Sequence, residues 1–127
     1  MFVFPSAAHA RRTLIVAKLG TRTFPEHVDF VTSPGHRYRG TPRSEFRMPG
    51  QGPVTVITDQ GVLEVDRKSG ELVLAALYPG VSAAAVRAGV GWPLAARTTL
   101  REVAPPTARE LQLLREVLDP NRLYLKG

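Results

Sequence analysis

The sequence has no cysteine. That removes disulfides and thiol chemistry, and with them the commonest zinc ligands. Its three histidines, His9, His27 and His36, are too far apart for a metal-ligand pattern. No metal site and no cofactor is expected. No apolar run approaches the roughly 20 residues that span a bilayer. Met1-Phe2-Val3-Phe4-Pro5 is apolar but too short for a signal sequence, and no basic region precedes it. A cytoplasmic protein with no membrane contact is the expectation. The familiar catalytic motifs are missing as well. No glycine-rich phosphate loop follows a strand. Ser33 precedes Pro34-Gly35 and lacks the flanking glycines of a nucleophile elbow. No helix-turn-helix, zinc-finger spacing or aromatic ribonucleoprotein motif is present.

What is present suits a globular domain. Hydrophobic residues at 43% and charged residues at 22% argue for a packed core and against disorder. A chain of 127 residues has room for one core, so a single domain over 1–127 is expected. The clearest stretch runs from Val54 to Leu94. Val54 to Thr58 alternates as a strand does, and so does Val62 to Val65. Asp66-Arg67-Lys68-Ser69-Gly70 is a polar turn, and Leu72 to Tyr78 is a third apolar run before Pro79-Gly80. Ser82 can cap a helix of alanines that Gly89 ends. Trp92 to Ala96 reads as another strand.

The flanks are read in the same way. Ser6 to Arg12 suits a short helix after Pro5. Thr13 to Ala17 is an apolar β-branched run, as expected of a strand buried on both faces. Lys18 to Pro25 is a loop, and His27 to Thr32 alternates as a second strand. Residues 34–53 are rich in glycine and proline among their arginines and read as one long basic loop. Arg97 to Val103 has no clear period, and Ala104-Pro105-Pro106 is a stiff linker. Thr107 and Glu110 form a capping box for a C-terminal helix over 107–118. Its Leu111, Leu114, Val117 and Leu118 make a stripe expected to pack on the domain's own sheet.

Chemistry is harder to find than structure. Asp29, Asp59, Glu64, Asp66 and Glu71 are the acids near the strands, and no two form an acid–base couple. The formal charge of +6 is mostly arginine. Arg37, Arg39, Arg43 and Arg47 cluster with Tyr38 and Phe46. Two readings of that cluster stay open: a solvated surface loop, or an anion site in which guanidinium groups pair with phosphate oxygens. The candidate residues for anion binding are Ser33, Gly35, Arg37 and Arg39. A nucleic-acid-binding module is a third, weaker reading of the charge.

Several segments resemble, in order and spacing, the β subunit of family I CoA-transferases of the glutaconate CoA-transferase type. They are Arg12 to Ala17, Arg22-Thr23-Phe24, His27 to Gly35, Val56-Ile57-Thr58-Asp59, Gly61 to Asp66 and Gly70-Glu71-Leu72. Tyr78 to Val81, Val86-Arg87, Gly91-Trp92, Pro105 to Thr107, Glu110 to Leu114 and Leu118 to Pro120 complete the set. The resemblance runs from about residue 6 to residue 124. It implies an α/β fold with an open, largely parallel sheet and flanking helices. It also implies an enzyme assembled from α and β subunits, with coenzyme A as substrate and a glutamate nucleophile.

That glutamate and the glycine turn before it have no counterpart here, and Leu19 stands where the family commonly has histidine. The chain is therefore expected to be the C-terminal half of a β subunit with no catalytic residue of its own, inactive alone. The expected partner is an α subunit or the missing N-terminal half, with a homo-oligomer as the alternative. A non-catalytic interaction domain and a portion of a CoA-thioester ring-opening hydrolase are the other functional expectations.

Overall fold

A computed structural model describes residues 10–124 apart from 33, 34, 39, 47, 49 and 51. The expected helix at Ser6 to Arg12 lies mostly outside the described residues. The strands are β1 (Thr13–Val16), β2 (Arg37–Tyr38), β3 (Thr41–Pro42), β4 (Pro53–Ile57), β5 (Gly61–Val65), β6 (Leu72–Leu77) and β7 (Ala96–Glu102). The helices are α1 (Ala83–Ala88) and α2 (Ala108–Gln112), the latter continued by a wider π turn over Leu113–Leu118. Five strands form one sheet in the order β1-β4-β5-β6-β7. β1 is parallel to β4, and β6 to β7, while β5 is antiparallel to both of its neighbours. Four of the five strands therefore run the same way, which is the open, largely parallel α/β sheet that the sequence implies.

Local chemistry sets the turns of this sheet. Between β4 and β5 the Thr58 hydroxyl donates to the Gly61 carbonyl at 2.7 Å and accepts from the Gly61 amide at 3.0 Å. The next side chain, Asp59, accepts the Leu19 amide at 2.7 Å and ties the segment after β1 to this turn. Gly61 is required for a different reason. A Cβ there would meet the Ala76 carbonyl oxygen at 2.6 Å, so β5 and β6 approach too closely for a side chain. Between β5 and β6 the Asp66 carboxylate accepts the Ser69 amide at 2.9 Å and the Ser69 hydroxyl at 3.0 Å. These bonds, the amide first, hold the Asp66 carboxyl below its ordinary value of 3.8.

One face of the sheet carries the core. Leu63 and Leu74 are paired across β5 and β6, and both are 0% exposed. Val56 lies beside Leu63, and Val86 of α1 closes over them with Leu19, Phe24, Val90 and Leu94. Helix α1 starts where the Ala85 amide donates to the Ser82 hydroxyl at 3.1 Å and ends at Gly89. The bond from the Gly91 amide to the Phe24 carbonyl, at 2.8 Å, holds the Phe24 and Trp92 rings 6.4 Å apart.

Several expectations need correction. β1 is an edge strand with exposed side chains, so its apolar run is not buried on both faces. His27 to Thr32 is bends and coil, with Phe30 80% exposed. Its alternation gives no strand because, among the described residues, no strand lies beside it to complete a ladder. The last strand is Ala96–Glu102, not Trp92 to Ala96. It is an edge strand with one solvated face, and its arginines and threonines obscure the period. The stretch over 34–53 is not loop throughout. It holds the β2–β3 hairpin and a 3-10 turn at Arg43–Phe46. Arg43 is only 7% exposed and donates to the Gly50 carbonyl at 2.8 Å and the Gly35 carbonyl at 3.2 Å. The capping box at Thr107 and Glu110 forms as expected. The apolar stripe of that helix does not pack away. Leu114, Val117 and Leu118 stay exposed, because α1 and its neighbours already fill the core face.

Two stability outcomes follow. Leu63→Ala removes a fully buried side chain and should lower the unfolding free energy by about 2–5 kcal/mol in a urea titration. Asp66→Asn should lower the melting temperature at neutral pH. The folded carboxyl titrates below its unfolded value, so the aspartate's contribution is present above that value and is lost as pH falls through the folded one. The gap between the wild-type and variant melting curves should therefore close on acidification below 3.8.

Candidate functional site

The second face of the sheet is open. The register places Leu14 and Val16 of β1 beside Thr55 and Ile57 of β4, and Thr55 beside Glu64 of β5. Glu64 in turn lies across from Val73. From this face the Glu64 carboxylate reaches over β6 to β7. It accepts from Arg97 at 3.2 Å and from Arg101 at 2.6 Å. All three side chains are partly exposed, so the cluster fixes geometry more than it stabilises the fold.

Beside this cluster lies an open cleft of about 750 Å³. Its walls are His36 from the basic stretch, Glu64 and Asp66 from β5 and its turn, Arg67 and Lys68 from the turn, and Arg97 from β7. The close packing of two distant segments forms it. A Cβ built on Gly70 would lie 3.4 Å from the His36 Cβ and 3.7 Å from the Arg37 Cγ. The Gly70 turn and the β2 hairpin therefore stack directly, which sets Arg37 against the turn that carries Arg67 and Lys68. Glu64 is neutralised by its arginines, and Asp66 is held by the hydrogen bonds of its own turn. Arg67 and Lys68 are exposed and leave the cleft with a positive rim.

Of the residues singled out for anion binding, Ser33 and Arg39 lie outside the described residues. Arg37 is exposed on β2, and its guanidinium donates to the Gly40 carbonyl at 3.5 Å. The Gly35 carbonyl is taken by Arg43. Arg43 itself, a member of the basic cluster, is a structural clamp with its charge turned inward. The sequence does not point to Arg67, Lys68 or Arg97 as neighbours of His36. Their adjacency depends on the packing of the hairpin against the Gly70 turn, and no spacing in the chain encodes it.

The acids beside the cleft are already committed. Asp59, Glu64 and Asp66 are each engaged by a partner. Among the described residues no group of histidines and acids could hold a metal ion. Among them also, no helix is long and apolar enough to cross a membrane.

No family model matches the chain. It is 38% identical over 109 residues to the β subunit of the 3-oxoadipate CoA-transferase of Pseudomonas knackmussii, covering 86% of this chain and 42% of that protein. It is 34% identical over 115 residues to the β subunit of the glutaconate CoA-transferase of Acidaminococcus fermentans, covering 90% of this chain and 43% of that protein. The crystal structure of the Acidaminococcus glutaconate CoA-transferase superposes with a TM-score of 0.79 at 32% identity, over 94% of this chain and 46% of that one. Rhodococcus jostii RHA1 IpdAB gives 0.69 at 28%, over 88% of this chain and 45% of that one. The decarboxylase AibA/AibB gives 0.64 at 26%, over 89% and 40%. The chain spans less than half the length of the curated relatives it matches. By sequence and by fold it is homologous to the β subunit of the CoA-transferases, over a part that amounts to less than half of such a subunit.

Proposed function

We propose that this chain contributes to the transfer of CoA between an acyl-CoA and a carboxylic acid, and that it does so only in complex with other chains. The observation that carries the reading is the 38% identity to a transferase subunit, joined to a sheet whose second face and β1 edge are open. Subunit names imply a multisubunit enzyme, and an α subunit and the remaining part of the β subunit are the partners this reading needs. The acids nearest the cleft fit it, since Asp59, Glu64 and Asp66 are each held by a partner, and the family's glutamate nucleophile has no counterpart in this segment. A cytoplasmic location goes with an acyl-CoA substrate.

The same reading gives the positive rim a task. Arg67 and Lys68 of the turn would take the phosphate groups of CoA together with Arg37, whose hairpin packs on Gly70 of that turn. Ser33, Gly35 and Arg39 are further candidate contacts. Guanidinium groups pair bidentately with phosphate oxygens, and several such groups on one rim select a polyanion.

A second reading keeps the fold and changes the reaction. It is favoured by the likeness to the decarboxylase AibA/AibB, which shows that other chemistry is carried by this fold. An interaction domain without chemistry would be the limiting case.

The chain alone should show no CoA-transferase turnover with 3-oxoadipate or glutaconate as acceptor. With an α subunit and the remaining part of the β subunit it should show turnover. Turnover by the chain alone, or decarboxylation without transfer by the complex, would reject the transferase reading. In that complex, Arg37→Ala combined with Arg39→Ala should weaken CoA binding about tenfold or more, as measured by titration calorimetry. Unchanged affinity would remove the rim from the CoA site.

A further inference from the structure

The edge of the sheet at β1 is defined by where its main-chain groups point. The Thr13 amide donates to the Gly52 carbonyl at 3.3 Å, and the Ala17 amide to the Ile57 carbonyl at 3.0 Å. Odd-numbered main-chain groups of β1 thus face β4. The two-residue repeat of a strand turns the N–H and C=O groups of Leu14 and Val16 the other way. Among the described residues no strand lies on that side. The side chains of Leu14 and Val16 are 63% and 79% exposed, and no charge or proline interrupts them. Protected edges usually carry such an interruption. Exposed basic residues frame the strand at Arg11 and Arg12, and Lys18 follows it.

We propose that β1 takes up one further strand from a second polypeptide, an extended segment of the remaining subunit with an apolar centre and acidic ends. Its centre lies along Leu14 and Val16, and its acids meet Arg12 and Lys18. Main-chain bonds supply the affinity, and the charged ends supply the choice of partner. A second copy of this chain is the wrong occupant. The two-fold register that pairs Leu14 with Val16 sets Arg12 opposite Lys18, and like charges directly opposed destabilise a strand pair. The net charge of +6 adds to that repulsion. More than half of each relative's length lies outside the match, which gives the added strand a source.

The proposal depends on the edge and not on the reaction, so it can fail or hold independently of the transferase assay. The test uses two labelled peptides with the same Val-Thr-Val-Thr-Val centre, one flanked by paired glutamates and one by paired lysines. Fluorescence anisotropy should show the glutamate peptide binding about tenfold or more tightly than the lysine peptide. Hydrogen exchange should slow at the Leu14 and Val16 amides and not at Ile15, which faces β4. Val16→Pro removes an outward N–H and should abolish binding. Val16→Lys leaves the main chain intact and should weaken it, which serves if the proline variant melts early. Sedimentation of the chain alone should show a monomer. Equal affinity for the two peptides, no binding of the glutamate peptide, protection elsewhere, or a dimer of the chain would each overturn the proposal.

Discussion

The pairing of Leu63 with Leu74 at the centre of the β4–β5–β6 meander is the contact on which the rest of the fold depends. Both side chains are removed from water, and both belong to the core that Val86 of α1 closes. The other elements are placed relative to that contact. Gly61 lets β5 and β6 approach closely enough for it, Thr58 turns β4 into β5 in register with it, and the Asp66 turn returns the chain. With the core filled on this one face, no element among the described residues is left to cover the other. The open face, the β1 edge and the exposed leucine stripe after Thr107 share that cause.

A sheet with one covered face is ordinary when the other face is polar. Here the open face changes character from strand to strand. Toward β7 it carries Glu64 with Arg97 and Arg101, which water tolerates. Toward β1 it carries Leu14 and Val16, which water does not stabilise. The polar end adjoins the positively rimmed cleft, and the apolar end adjoins the unpaired edge. An anionic ligand is proposed at one of these ends and another polypeptide at the other.

Local chemistry is legible in the sequence, and tertiary arrangement is not. The Ser82 cap, the Thr107–Glu110 box, the Asp66 turn and the three meander strands each depend on residues within a few positions of one another, and all of them form. β7 is misplaced by its pattern because an edge strand need not alternate cleanly. His27 to Thr32 alternates yet forms no strand, since a strand needs a neighbour as well as a pattern. Arg43 reads as surface charge, but its guanidinium is spent on the Gly35 and Gly50 carbonyls. The Glu64 cluster joins β5 to β7 across an intervening strand, so no spacing in the chain could announce it. The family resemblance is legible because its segments are turn and core positions, and these constrain the residues they use even where the chemistry lies elsewhere.

The central claim is that this chain is one part of a larger CoA-handling assembly. Native mass spectrometry after co-expression with the proteins encoded beside it tests that most directly. The account predicts a heteromeric complex that contains this chain and takes up CoA. A lone chain in every co-expression, stable and without CoA, would contradict it.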